Sequence, residues 1–128
     1  MSEHQLYELI ATFLRLQYPN VIYRFDLAAD LKLTAGQAAK HKRLHPRRGY
    51  PDLFIAKPKG DYHGMFLELK KDGTRLTKRN GDWASEHIQE QWLMLNALRA
   101  CGYRAEFAIG YDDAVRQIKA YLAQNKAV

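Results

Sequence analysis

Residues 49–70 read GYPDLFIAKPKGDYHGMFLELK, and this stretch indicates the centre of the fold. Two apolar runs, residues 53–57 and 65–70, are separated by a segment whose proline and glycines favour a hairpin turn. The two runs are therefore predicted to form adjacent antiparallel strands.

Charged residues lie near one end of this predicted hairpin. Side-chain alternation places Glu68 and Lys70 on one face of the second strand, and Asp52 begins the first strand beside them. Two carboxylates about 5 Å apart repel by roughly 3 kcal/mol at an effective dielectric near 20, so they need a compensating charge or a raised pKa. Mg²⁺ takes oxygen ligands and activates water for phosphodiester hydrolysis. The hairpin therefore suits a metal-dependent nuclease site, in which Lys70 orients or deprotonates water or stabilises the transition state. The alternative is that Glu68-Leu69-Lys70, a triplet common by chance, forms a surface salt bridge on the strand.

The sequence around the hairpin predicts further helices and strands. Helices are predicted over residues 3–17, 82–100 and 112–123, and further strands over residues 21–27 and 104–109. The resulting order, α-β-β-β-α-β-α, predicts an α/β fold with a mixed central sheet flanked by helices. The 128 residues, of which 47% are hydrophobic, predict a single domain.

Residues 28–48 show no clean periodicity and contain the basic run HKRLHPRR at 41–48. We expect an irregular or partly helical basic insertion here. His41 and His45 are spaced i, i+4, which would suit two zinc ligands in a helix, but no third ligand is evident. Phosphate contact or a solvated surface is the alternative for this pair.

The charge and cysteine content restrict the class of protein. Twenty Lys and Arg against fourteen Asp and Glu give a net charge of +6, which favours a polyanionic partner, although an ordinary basic protein has the same balance. Cys101 is the single cysteine, so an intramolecular disulfide is excluded and a reducing cytosol is expected. No apolar run approaches the roughly 20 residues of a membrane span, and we expect no membrane association.

The combined pattern resembles the VRR-NUC family of the PD-(D/E)xK nuclease superfamily. The motif Gly49-Tyr50-Pro51-Asp52-Leu53 is followed by Glu68-Leu69-Lys70, whereas the similar triplet Asp30-Leu31-Lys32 lacks a preceding Pro-Asp. The resemblance continues along nearly the whole chain, in Ser2-Glu3-His4-Gln5, Gly73-Thr74-Arg75-Leu76-Thr77, Gln91, Leu98 and Gly102-Tyr103.

The resemblance implies a set of site residues. Asp52 and Glu68 would hold the metal with the backbone carbonyl of Leu69, and Glu3 would contribute directly or through water. Lys70 would be the catalytic lysine. Gln91 would support the site from the following helix.

Helical spacing gives an independent reason to place Glu3 and Gln91. Glu3 falls in the apolar stripe of the first predicted helix, whereas Glu8 points nearly opposite, and Gln91 falls in the apolar stripe of the second predicted helix. A polar residue in such a stripe requires a partner, which a metal site would supply. The alternatives are a fraying first turn for Glu3 and a core amide bonded to the backbone for Gln91.

The resemblance also implies an activity. It implies an Mg²⁺-dependent endonuclease, with Mn²⁺ able to substitute, that cuts structured DNA such as Holliday junctions or flaps. A homodimer in the bacterial or phage-infected host cytosol would suit symmetrical cutting. The alternative is a non-catalytic nucleic-acid-binding domain or an accessory subunit that retains the nuclease fold. Charge and proximity in sequence to the site give the candidate DNA contacts, which are Arg43, Arg47, Arg48, Lys78 and Arg79.

Overall fold

The computed structural model describes residues 1–26 and 32–125. Within these ranges the chain forms α1 (Glu3–Gln17), β1 (Tyr23–Phe25), α2 (Ala35–Leu44), β2 (Leu53–Ile55), β3 (Met65–Lys70), α3 (Glu86–Ala100), β4 (Arg104–Ile109) and α4 (Tyr111–Leu122). No helix in the described part of the chain is both long enough and apolar enough to cross a membrane.

The four strands form one mixed sheet in the order β1-β2-β3-β4. Strands β1, β2 and β3 pair antiparallel, and Leu53 lies opposite Leu67 in the predicted hairpin. Strand β4 pairs parallel with β3, which requires a crossover that α3 provides. The predicted mixed α/β fold class is confirmed.

The two faces of the sheet are covered by different helices. Leucines of β2 and β3 pack against the apolar sides of α1 and α4 and form the larger core. On the opposite face, Phe66 packs with Leu95 of α3 and with Ala105 of β4. Because both faces of β3 are covered, all six of its residues are buried, including Glu68 and Lys70.

The basic insertion is partly helical, which agrees with one of the two expectations, although the sequence pattern did not give the bounds of its helix. Thr34 and Gln37 form a capping box, in which each side chain accepts a hydrogen bond from the backbone N–H of the other residue. Helix α2 then runs from Ala35 to Leu44 without a single buried residue. The sequence of α2 shows no apolar periodicity because no side of this helix packs against the core. Residues 28–31 of the predicted insertion lie outside the described residues.

Several predicted boundaries need correction. The first strand is Tyr23–Phe25, shorter than the predicted 21–27, of which residue 27 lies outside the described part. Strand β2 ends at Ile55 and not at residue 57. The N–H of His63 bonds to the carbonyl of Gly102 and not to β2, so the pairing of the hairpin does not continue to residue 57. Helix α3 begins at residue 86 and not at 82, since Ser85 caps it with its side chain. Helix α4 is shifted by one residue, and β4 has its predicted bounds.

Candidate active site

Four polar side chains are buried at the end of the hairpin where β3 finishes. Among the described residues, the buried polar or charged side chains are those of Asp52, Glu68, Lys70 and Gln91. Charged side chains are rarely buried unless they have partners or a function, because desolvation is costly. We refer to these four residues as the acidic floor.

Asp52 is held at the start of β2 by the backbone of β3. Its Oδ2 atom accepts a hydrogen bond of 2.9 Å from the N–H of Leu69. When the β2–β3 register is continued by two residues, Pro51 lies opposite Leu69. Proline has no N–H, so Pro51 cannot donate to the carbonyl of Leu69. Asp52 thus has its carboxylate fixed by β3. Pro51 leaves the carbonyl of Leu69, on the same side of β3, without a hydrogen bond from β2.

Glu68 is the most strongly perturbed carboxyl group of the floor. Its Oε1 atom accepts a hydrogen bond of 2.8 Å from Nε2 of Gln91 and lies 3.8 Å from Nζ of Lys70. Its Oε2 atom is buried and has no hydrogen-bond partner. Burial first, and then the neighbouring Asp52, raise the pKa of Glu68 to about 10, although Lys70 lowers it. Burial likewise raises the pKa of Asp52. At neutral pH the metal-free floor therefore retains a proton in the place where a cation would be favourable.

Gln91 reaches the floor from α3 and has a second partner that the sequence analysis missed. Its Nε2 atom lies 3.2 Å from Nε2 of His87, in addition to its bond to Glu68. An amide NH₂ has two hydrogens, so both contacts are donated by Gln91 when His87 is the tautomer protonated at Nδ1. The Oε1 atom of Gln91 is buried without a partner. The i, i+4 spacing of His87 and Gln91 was the available signal in the sequence.

Helix α1 brings Tyr7 and Glu3 to the margin of the floor. Burial, the adjoining Asp52 carboxyl group and the charges of Glu3 and Glu68 raise the pKa of the Tyr7 phenol. Glu3 itself is exposed to solvent, although it lines the same cavity as Asp52 and Glu68. It therefore lies on the predicted side of α1 without being buried. Tyr7 was not predicted, although it follows Glu3 at i, i+4.

A cavity of about 690 Å³ opens above the acidic floor. Another part of its lining is formed by α2 and the following loop, which contribute seven side chains: His41, Lys42, His45, Pro46, Arg47, Arg48 and Tyr50. Gly49 holds this loop close to α3, because its φ of +80° favours glycine and a Cβ atom there would lie 2.8 Å from the carbonyl oxygen of Glu90. Two of the predicted DNA contacts, Arg47 and Arg48, thus line the same cavity as the floor, and Nη1 of Arg48 lies 3.9 Å from Oε1 of Glu90. The other three, Arg43, Lys78 and Arg79, are exposed outside the cavity lining.

One solved structure gives an independent view of this architecture. A protein named "VRR_NUC domain protein" superposes with a TM-score of 0.70 over 98% of this chain and 92% of that chain, at 24% sequence identity. The chain has the VRR_NUC fold. The resemblance to VRR-NUC proteins noted in the sequence is thereby confirmed at the level of the fold. No family model matches the sequence, and no curated protein matches it.

The VRR_NUC fold here presents donors that fit Mg²⁺ better than zinc. No group of three His, Cys, Asp or Glu side chains suited to a metal occurs in residues 1–26 and 32–125. Mg²⁺ needs only one or two carboxylates, because it retains waters and takes phosphate oxygens from a substrate. Asp52, Oε2 of Glu68 and the carbonyl of Leu69 meet this need, and Glu3 lines the same cavity.

The histidine pair of α2 does not form a zinc site in this fold. The rings of His41 and His45 are adjacent, with centroids 4.6 Å apart. The described residues provide no third His, Cys, Asp or Glu to complete a ligand set with them. A protein zinc site needs three or four protein ligands. The pair therefore requires another explanation.

Proposed function

We propose that this protein is a metal-dependent endonuclease that hydrolyses phosphodiester bonds in DNA, with Mg²⁺ as its cofactor and Mn²⁺ able to replace it. The observation that carries the proposal is the acidic floor, in which two carboxyl groups, a lysine and a glutamine are buried together beneath a cationic wall. The hydrogen bonds and the Lys70 ion pair of the floor compensate the cost of burying these groups only in part, since one oxygen of Glu68 and one of Gln91 have no hydrogen-bond partner.

The ligands of the cation would be Asp52, Glu68 and the carbonyl of Leu69. When bound, Mg²⁺ supplies a Lewis acid that activates water and neutralises charge on the phosphate. The Leu69 N–H fixes one oxygen of Asp52, and Gln91 fixes one oxygen of Glu68, so that the other oxygen of each carboxylate would be the one that holds the cation. These contacts reduce the reorganisation that binding requires.

Lys70 is the proposed catalytic lysine. Its ammonium group lies 3.8 Å from Oε1 of Glu68 on the cavity side of β3, which is within reach of a phosphate placed above the floor. There it orients the attacking water and donates to the phosphate oxygens as negative charge develops on them. Arg47 and Arg48 line the same cavity and would hold the flanking phosphates.

The substrate is proposed to be structured DNA, namely Holliday junctions or flaps, cut by a homodimer in the cytosol. Support comes from the VRR_NUC fold, from the net charge of +6 and from the exposed free thiol of Cys101, which suits a reducing compartment. Sedimentation of the protein with a four-way junction measures the proposed stoichiometry of two chains per junction.

A cleavage assay tests the proposal directly. The purified protein is incubated with branched, flap and linear duplex DNA in Mg²⁺, Mn²⁺ or EDTA. Cleavage is expected with either metal and not in EDTA. Asp52→Asn and Lys70→Met should each reduce the rate by about 10²-fold or more, since each removes a group that acts in the transition state. Lys57→Ala, at an exposed lysine of the hairpin, is the matched control and should cleave normally.

Two results contradict the proposed mechanism. Cleavage that persists in EDTA would exclude the metal, and full activity in both floor variants would exclude the floor. Binding without cleavage of every substrate would favour the alternative of a non-catalytic nucleic-acid-binding domain.

A further inference from the structure

Three aromatic rings line the cavity above the acidic floor. His41 and His45 lie one turn apart on and just after α2, with ring centroids 4.6 Å apart, and Tyr50 lies 6.5 Å from His45. All three side chains line the cavity. We refer to them as the ring wall.

The ring wall is anchored to the sheet and is also accessible to a ligand. Tyr50 packs edge-on against Phe66, at a centroid distance of 5.6 Å, and so connects the wall to the aromatic cluster on β3. Tyr50 nevertheless exposes 42% of its surface, and His45 is exposed. Aromatic surface that is held in place and left partly bare at the edge of a cavity is suited to stacking.

The size of the cavity restricts what can reach these rings. The cavity has a volume of about 690 Å³. The volume lies within the range of about 300–1,000 Å³ that is usual for small-ligand pockets. A single nucleotide can therefore fit in the cavity that the ring wall and the floor line.

Cationic side chains alternate with the rings. Lys42, Arg47 and Arg48 line the same cavity, as does Lys70. Alternating aromatic and basic groups are the usual means of binding single-stranded nucleic acid, since bases stack on the rings and phosphates pair with the cations. The ring wall and its neighbouring cations thus match both halves of a nucleotide.

We infer that the ring wall is a stacking subsite for an unpaired base of the DNA strand whose phosphate lies above the acidic floor. The inference rests on the proposed nuclease function. It adds that the DNA strand bound at the site is unpaired over at least one nucleotide. It also explains the i, i+4 histidine pair, which supplies ring surface and not metal ligands.

The test measures binding, so that it does not depend on cleavage. Fluorescence anisotropy in EDTA at low salt gives the affinity for a labelled DNA with an unpaired strand, and a single abasic position is moved along that strand. For the wild type, an abasic site at one or two positions should weaken binding by about 5- to 100-fold, because the stacking partner is lost. The double variant His45→Leu/Tyr50→Leu should show less than about a 2-fold effect at the same positions.

Two further variants keep the test specific. Tyr50→Phe retains a ring and should retain the abasic effect. His63→Leu removes a histidine ring that packs against Tyr103 outside the cavity lining, and it should bind both DNAs as the wild type does.

The outcomes separate the inference from the proposed function. If the wild type cleaves with metal but shows no abasic effect at any position, the subsite is wrong and the nuclease remains. If the abasic effect survives in His45→Leu/Tyr50→Leu, the base stacks elsewhere and the assignment to these rings is wrong. If the protein neither binds nor cleaves DNA, both the subsite and the nuclease are wrong.

Discussion

The acidic floor and helix α2 line one cavity and are built in opposite ways. The floor consists of polar side chains that are at most 9% exposed and are fixed by strands and by α3. Helix α2 has no buried residue, and its basic side chains are exposed apart from His41, which is half-buried. A helix that is polar on all sides gains little from packing, whereas a buried carboxyl group opposes folding.

The difference indicates where each region obtains its stability. The floor is held by the surrounding core although its own charges destabilise it, and a bound cation would remove that cost. We refer to Lys42 of α2 and to Arg47 and Arg48 of the following loop as the basic wall. Because these side chains are exposed, they have little effect on the free energy of folding, and they would gain their main contacts from a polyanionic ligand. Changes to the floor should therefore alter folding as well as activity, whereas changes to α2 should alter binding alone.

The largest effect should come from neutralising Glu68. The folded, metal-free protein binds this proton more tightly than the unfolded chain, since the pKa of Glu68 is raised to about 10 by burial and by Asp52. The stability that the proton contributes is complete below the ordinary glutamate pKa and is lost as the pH rises towards about 10. Wild type in EDTA should lose stability between about pH 5 and pH 9, and Glu68→Gln should lose less. At pH 8 the variant should be more stable by about 2 kcal/mol while it loses cleavage.

Urea denaturation across this pH range measures the difference. Asp61→Asn, at an exposed aspartate of the hairpin turn, is the control and should follow the wild type. Mg²⁺ should stabilise the wild type and leave Glu68→Gln unchanged. Parallel pH curves for wild type and Glu68→Gln would show that the buried carboxyl group does not oppose folding.

A smaller effect is expected at His87, on the helix that completes the floor. Removal of its ring in His87→Ala should lower kcat by about 10-fold with little change in KM, because Gln91 loses the acceptor that holds its amide towards Glu68. His87→Gln offers a side-chain oxygen as acceptor and should recover most of the rate. Steady-state kinetics of both variants give the answer, and equal losses in the two would indicate that His87 does not act through Gln91.

The smallest effect on folding is expected in the basic wall. Lys42→Ala and Arg47→Ala should each change the free energy of unfolding by less than about 0.5 kcal/mol, since neither residue contacts the core. Each should weaken DNA binding by about 3- to 5-fold and reduce the salt dependence by about one counterion. Anisotropy titrations at several salt concentrations measure both quantities, and Lys57→Ala, at an exposed lysine of the hairpin, is the control. A loss of stability that matches the loss of affinity would contradict the contrast between the two regions.

Local rules predicted the elements that pack against the core. The alternation in β3, the proline and glycines of the hairpin and the apolar stripes of α1 and α3 follow from burial, which leaves a periodic trace in the sequence. Helix α2 left no such trace, because nothing on it is buried, and only the capping pair Thr34 and Gln37 marked its start. The resemblance to VRR-NUC proteins supplied the fold that the solved structure then confirmed.

The sequence alone predicted that Asp52, Glu68 and Lys70 lie together, because the alternation of side chains in a hairpin places all three on the same face of the sheet. Tertiary structure decided what surrounds them. Only the packing of α3 shows that Gln91 bonds to Glu68 and to His87, and only the β2–β3 register shows that Pro51 cannot bond to the Leu69 carbonyl. Contacts between distant segments depend on how layers stack, and neither periodicity nor composition carries that information.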